Sequence, residues 1–237
     1  MFLSPYYSYV GSALAISSQQ GSRFAKSICD DFNPLHNPDN KSFCVPGDLL
    51  FAIALQRYGL SERMTFKFSE MLSGDTPIHY PDSDDNHIGI EDGSGSCYLE
   101  IQRSGETTFS QEYVEALTRS YVRFSGQNFP DILIPLMASK RVMINPRKPF
   151  VIYEAMSLEM KELQLDYVET CLLGSSIEVA GKRGVVALSF EFRKDYQIVG
   201  VGTKKLILVG LRAYDQVAID DMVATYNANK TRFSESR

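Results

Sequence analysis

The stretch Asp31-Phe32-Asn33-Pro34-Leu35-His36 decides how this chain is read, together with Val45-Pro46-Gly47-Asp48 and the apolar run Leu49-Leu50-Phe51-Ala52-Ile53-Ala54-Leu55 behind it. Asn33-Pro34 and Asn37-Pro38 forbid a helix across the bend, because a residue before proline is pushed out of the helical region. The bend holds an acid and one of only three histidines in the chain. Behind it, Pro46 and Gly47 open a helix, Asp48 complements the positive end of its dipole, and Gly59 closes it after Arg57 and Tyr58. A helix apolar nearly all round must be buried on most sides. An acid, a base and a glycine at the start of a buried helix are the parts needed to move a proton beside a carbonyl.

Outward from this stretch, composition sets the bounds. The chain has 237 residues, 44% hydrophobic and 22% charged, enough for a sizeable globular core in one large domain or two small ones. A net charge of −5 and a pI near 5.3 argue against non-specific nucleic-acid binding, which needs a basic footprint. The four cysteines are scattered with no C-x-x-C pair, and Cys44, between Phe43 and Val45, reads as a buried reduced thiol. Three histidines without ligand-like spacing give no zinc site. No run approaches the roughly 18 apolar residues needed to cross a bilayer. No Lys or Arg precedes Arg23, so the basic flank of a signal peptide is missing and a cytoplasmic protein is expected.

Helical spacing of Phe24, Ala25, Ile28 and Cys29 predicts a helix over 21–31. Alternation over 65–69, a turn at Ser73-Gly74-Asp75-Thr76, an exposed acidic loop over 81–86 and a hairpin around Asp92-Gly93-Ser94-Gly95 follow. His79 and His87 flank that loop and read as surface residues. The second half repeats the order: Ser125-Gly126-Gln127-Asn128-Phe129-Pro130, an apolar segment over 132–138, then strand-like runs over 151–160, 185–192 and 205–211. Bend, apolar helix and strands thus occur twice, about a hundred residues apart. The expected fold is α+β, a double hot-dog in which antiparallel sheet wraps a central apolar helix in each half. The expected division is 1–108 and 109–237, and residues 227–237 are expected to fray.

The bend resembles the D-x-N-P-[hydrophobic]-H signature of the MaoC-like (R)-specific enoyl-CoA hydratases, matched at Asp31, Asn33, Pro34, Leu35 and His36. Gly47 and Ser73-Gly74-Asp75-Thr76 extend the likeness, which covers roughly residues 20–80. The resemblance implies hydration or dehydration of trans-2-enoyl and (3R)-hydroxyacyl thioesters. Asp31 and His36 are its catalytic candidates, and Asn33, Gly47 and Asp48 its substrate-binding ones. It also implies an acyl-CoA or acyl carrier protein thioester as partner, no cofactor and no metal, no nucleic-acid or membrane partner, and leaves a homodimer open.

Departures from the pattern are specific. Cys29-Asp30 replaces the usual Ser/Thr-Gly before the acid, so Asp30 is a second candidate acid; Pro46-Gly47 replaces His-Gly at the helix start. In the second half Gln127 and Ile132 stand where acid and histidine would be, so that copy has no acid–base chemistry. Two rivals remain on sequence grounds: a hot-dog thioesterase using Asp48, and a non-catalytic acyl-thioester or lipid-binding protein.

Overall fold

A computed structural model describes residues 2–146 and 149–235. The chain opens with a hairpin, β1 (Ser8–Val10) and β2 (Ala13–Ala15), then α1 (Ser18–Phe24). Ser17 and Gln20 start α1 with a reciprocal capping box, and α1 runs on into a π-turn at Ala25–Cys29. The motif bend follows as a short 3-10 turn, Pro34–His36. Next come α2 (Gly47–Tyr58), β3 (Leu60–Phe68), β4 (Ile78–His79), β5 (His87–Asp92) and β6 (Cys97–Thr108). The remaining helices and strands are α3 (Gln111–Gly126), α4 (Asn128–Asp131), α5 (Leu133–Ser139), β7 (Val142–Met143), β8 (Phe150–Met160), β9 (Glu169–Ala180), β10 (Arg183–Lys194), β11 (Gln197–Val209), β12 (Arg212–Ala213) and α6 (Gln216–Glu235).

Ten strands form one antiparallel sheet in the order β1-β2-β4-β5-β6-β3-β8-β11-β10-β9, and β12 pairs with β7 separately. The two halves meet at β3 and β8, where Arg63 opposes Glu159 and Thr65 opposes Ser157. Alternation aims Val186, Leu188, Phe190 and Phe192 of β10 inward. The β10–β11 hairpin turns on Asp195 and Tyr196, both at positive φ (48° and 67°), the two-residue geometry whose twist matches the strands.

Helix α2 lies in the larger core with Leu49, Phe51, Ala54 and Leu55 fully buried, and Phe51 meets the rings of Phe66 and Tyr121 edge-on at 4.9 and 5.1 Å. Each such large side chain taken from water contributes about 1.5–3 kcal/mol. Its counterpart α5 is a stub that buries only Leu133 and Met137, in a second core with Ile177, Leu188, Leu206 and Leu208. Sheet and helices together make the α+β double hot-dog. Among the described residues, no helix is long and apolar enough to cross a membrane.

One expectation is overturned. The polar end does not fray: α6 continues to Glu235, its Tyr226 hydroxyl donates to Asp30 O at 3.0 Å, and Phe233 packs against Phe32 with ring centroids 5.8 Å apart. Widely spaced aromatic anchors hold a helix whose composition reads as solvated. The last two residues lie outside the described residues.

Candidate functional site

The bend is built by its own polar side chains. Asp30 ends the π-turn in left-handed backbone (φ 57°), which reverses the chain. Asp31 Oδ1 accepts from Asn33 N at 2.8 Å, Asn33 Oδ1 accepts from Leu35 N at 3.0 Å, and Asn40 Nδ2 donates to Pro34 O at 2.8 Å. Asn33 therefore acts first as the cap of the turn; its side-chain oxygen is engaged with Leu35.

His36 Nδ1 lies 2.8 Å from Cys44 O, and since a carbonyl only accepts, that nitrogen carries the proton. Nε2 is thereby aimed at Asp31 Oδ2, 3.6 Å away, beyond direct hydrogen-bond length. Both side chains are mostly buried, at 14% and 20% exposure. Burial pushes the Asp31 carboxyl up, against the opposing pull of His36 and of the Asn33 N–H. Asp31, not Asp30, is thus the acid that faces the histidine. Asp30 is held elsewhere: Lys230 Nζ donates to its Oδ2, and Gln127 Nε2 donates to the same oxygen at 3.3 Å.

Gly47 starts α2 with no side-chain cap on the helix. A Cβ there would stand 3.1 Å from Tyr153 Cδ1 and 3.2 Å from Phe68 Cε1, so the two rings, tilted by 32° with centroids 4.3 Å apart, leave little room for a side chain. Asp48 is buried rather than a surface dipole partner: its Oδ2 accepts from Ser125 Oγ at 2.5 Å, while Oδ1 has no hydrogen-bond partner among the described residues. Ser125 comes from the last turn of α3. That turn lies so close to the π-turn that a Cβ on Gly126 would stand 2.1 Å from Cys29 O.

One functional-looking residue escaped the sequence reading. Lys204 of β11 is 4% exposed; its Nζ donates to Ser125 Oγ and sits 4.1 Å from the centroid of the Tyr153 ring. Burial lowers its affinity for a proton, and the carboxylates of Asp48 and Asp31 oppose that shift. The signal was in the strand period: Gly200, Gly202, Leu206 and Leu208 face inward, and Lys204 falls on the same face.

The Asp31–His36 pair, Gly47 and the Asp48–Ser125–Lys204 line border one cavity of about 540 Å³. Asp31, His36, Gly47 and Asp48 form one wall; Leu133, Ile144, Val151, Leu206 and Met222 bring the second core's apolar side chains to another. Ser125, Asn128, Tyr153 and Lys204 also line it. Among the described residues, no cluster of three or more His, Cys, Asp or Glu side chains is arranged to hold a metal.

Fold and cavity define a double hot-dog protein with a carboxylate–imidazole pair and a buried lysine on a shared interior. The chain belongs to the family described as "Protein of unknown function (DUF3581)", whose model matches residues 1–217. No curated protein matches it. Among solved structures it is similar to a conserved protein of unknown function with hot dog fold from Alicyclobacillus acidocaldarius, at 8% identity, TM-score 0.49, covering 91% of this chain and 99% of that one. The tesB protein of Mycobacterium avium subs paratuberculosis gives 8% identity and TM-score 0.45 over 87% and 96%. The peroxisomal multifunctional enzyme type 2 from Drosophila melanogaster gives 10% identity and TM-score 0.47 over 82% of this chain and 47% of that one. At such identities and TM-scores the likeness carries nothing about reaction or substrate.

Proposed function

We propose that this protein hydrates trans-2-enoyl thioesters, or dehydrates the (3R)-hydroxyacyl products, at Asp31 and His36. One observation carries the reading: the two side chains face each other across 3.6 Å, with the imidazole tautomer fixed by Cys44 O, in a cavity that reaches the N-terminus of α2. A water held between them would give its proton to the pair while its oxygen adds to C3 of the acyl group; a proton from the pair completes C2. The thioester oxygen gains negative charge on the way, and first-turn N–H groups of α2 are the donors suited to it. The likeness of the bend to MaoC-like hydratases supports the same assignment. Residues 1–108 and 109–237 are read as two copies of one unit, of which only the first kept the acid–base pair.

A second reading rests on Asp48, a residue of the same cavity wall whose Oδ1 has no hydrogen-bond partner among the described residues: a thioesterase in which this carboxylate activates water. Purified protein given trans-2-enoyl-CoA is expected to deplete the enoyl-thioester absorbance. Asp31→Asn and His36→Ala should each slow this by about 10²–10⁴-fold. Undiminished rates in both variants would sink the assignment. Free-thiol release abolished by Asp48→Ala but not by His36→Ala would favour the thioesterase, and saturable acyl-CoA binding without turnover would favour a binding protein.

A further inference from the structure

Helix α6 has no part in the Asp31–His36 chemistry, yet its side chains border the cavity from Ala218 to Asn229, about 16 Å of helix. Almost all of it lies beyond residues 1–217, the part matched by the family. The helix is docked on both halves. Ala218, Met222 and Val223 pack against the second core, which holds Leu133, Leu206 and Leu208. Tyr226 meets the rings of Phe32 and Phe129 edge-on at 5.7 and 5.5 Å, and its hydroxyl donates to Asp30 O at 3.0 Å. So α6 is a held wall that runs from the apolar side of the cavity to the bend carrying the acid. Asp221 and Thr225 are exposed, and the Thr225 hydroxyl is engaged with Asp221 O at 2.8 Å. Ala218 and Met222, both half-buried, are the α6 side chains that touch the second core and also border the cavity.

We infer that Ala218 and Met222 are the stop of an acyl-chain pocket, so that α6 sets the length of the tail this protein accepts. The inference rests on the acyl-thioester reading above. With Leu133, Ile144, Val151 and Leu206 these two side chains give the cavity a surface without charge or a strong hydrogen-bonding group. Water against such a surface has few partners, and an alkyl tail that replaces it gains about fourfold in affinity for each methylene buried. A thioester placed at the N-terminus of α2, beside Asp31 and His36, leaves this apolar wall to its tail. The gain ends where the tail meets α6. Alanine at 218 leaves room that a ring would fill, and the flexible Met222 fills room that a shorter side chain would open.

The test uses saturated acyl-CoA esters, which cannot be hydrated, so its outcome does not depend on turnover. Butanoyl-, hexanoyl-, octanoyl-, decanoyl- and dodecanoyl-CoA are titrated into the full chain by calorimetry, with free CoA as the reference. In the wild type, affinity should climb by up to about fifteenfold per pair of methylenes and then level off or fall. Ala218→Phe should bring that limit down by at least one ester in the series. It should weaken the longest ester on the rising limb by about tenfold, with butanoyl-CoA within about twofold of wild type. Met222→Ala should move the limit to a longer ester. Length profiles unchanged in both variants overturn the inference, as does an affinity that ignores tail length. Should Ala218→Phe not fold, Met222→Ala decides. Shifted profiles in protein without hydratase activity would overturn the proposed reaction alone. Hydration of trans-2-butenoyl-CoA with unshifted profiles would overturn only the role of α6, and failure of every ester to bind better than free CoA would overturn both.

Discussion

The bend at 30–36 and its counterpart at 127–132 start alike and finish differently. Both follow a helix, and both present a side chain at the place of the acid. In the first, the chain reverses at Asp30 and its own side chains lock Asp31 against His36. In the second, Gln127 turns away to Asp30 and Ile132 joins the apolar surroundings of the second core. The same divergence runs through the central helices: α2 buries nine of its residues, α5 two. Yet the second half supplies Ser125 from a helix end, Asn128 from its bend and Lys204 from a strand to the same cavity.

The largest effect should separate the two cores. Phe51→Ala removes a fully buried ring from between Phe66 and Tyr121 and should cost about 3–5 kcal/mol in urea unfolding. Met137→Ala in α5 should fall near 2 kcal/mol, because Ile134 and Leu136 beside it are only partly buried and can relax into the space. Hydrogen exchange should agree, with α2 amides opening only on global unfolding and α5 amides opening locally. Equal costs and equal protection would show that the second core is as well packed as the first.

The seam between the helices that precede the two bends comes next. A Cβ on Gly126 would stand 2.1 Å from Cys29 O, backbone that cannot yield, so Gly126→Ala should lose about 1–3 kcal/mol. Gly93→Ala, with nothing within 4 Å, should stay within about 0.5 kcal/mol and controls for backbone entropy. Ser125→Ala leaves Asp48 Oδ2 and Lys204 Nζ without their shared hydroxyl and should cost a similar 1–3 kcal/mol, roughly. If Ser125→Ala is silent in thermal unfolding, the line joining the halves is not a structural link.

What sequence could reveal follows from these contrasts. The bend and α2 were legible because proline, asparagine and glycine impose backbone geometry locally, and because a run such as Leu49 to Leu55 has no exposed solution. α5 was found within a residue of its ends for the same reason. β9 was missed because only Ile177 and partial neighbours face the core, leaving no alternation to read. Lys204 was missed because Lys204-Lys205 looks like a solvated strand end, while its burial depends on Ser125 and Asp48, 79 and 156 residues distant in sequence. Pairing across such distances has no local signature.

Two buried charges, one from each half, should pull stability in opposite directions with pH. Burial raises the Asp31 pKa above its ordinary 3.8, so the folded state holds the proton longer than the unfolded chain. Stability should therefore fall as pH rises from that value through the raised one. Burial lowers the Lys204 pKa below its ordinary 10.5, so between the lowered value and 10.5 the unfolded chain binds more protons. Stability should rise with pH across that alkaline window. Asp31→Asn should abolish the acid-side fall and Lys204→Met the alkaline rise, each read as the Tm difference from wild type against pH. A Lys204→Met difference that is flat to pH 10.5 would mean the lysine is solvated in solution.

The smallest effect concerns the clasp that the end of the chain places over the bend. Lys230 Nζ meets Asp30 Oδ2 with the lysine 44% exposed, so the pair is screened by water and Lys230→Ala should cost only about 0.2–1 kcal/mol, less at high salt. Its value lies in what it separates. The ring contacts of Phe32 with Tyr226 and Phe233, at 5.7 and 5.8 Å, bury apolar surface and survive that substitution, so α6 should stay docked. Lys230→Ala should then leave enoyl-CoA turnover nearly unchanged, since Asp30 is turned away from His36. A turnover loss as large as that of Asp31→Asn would instead show that the orientation of Asp30 governs the geometry of its neighbour. In that case the clasp from the second half would be part of what keeps the first half's acid–base pair aligned.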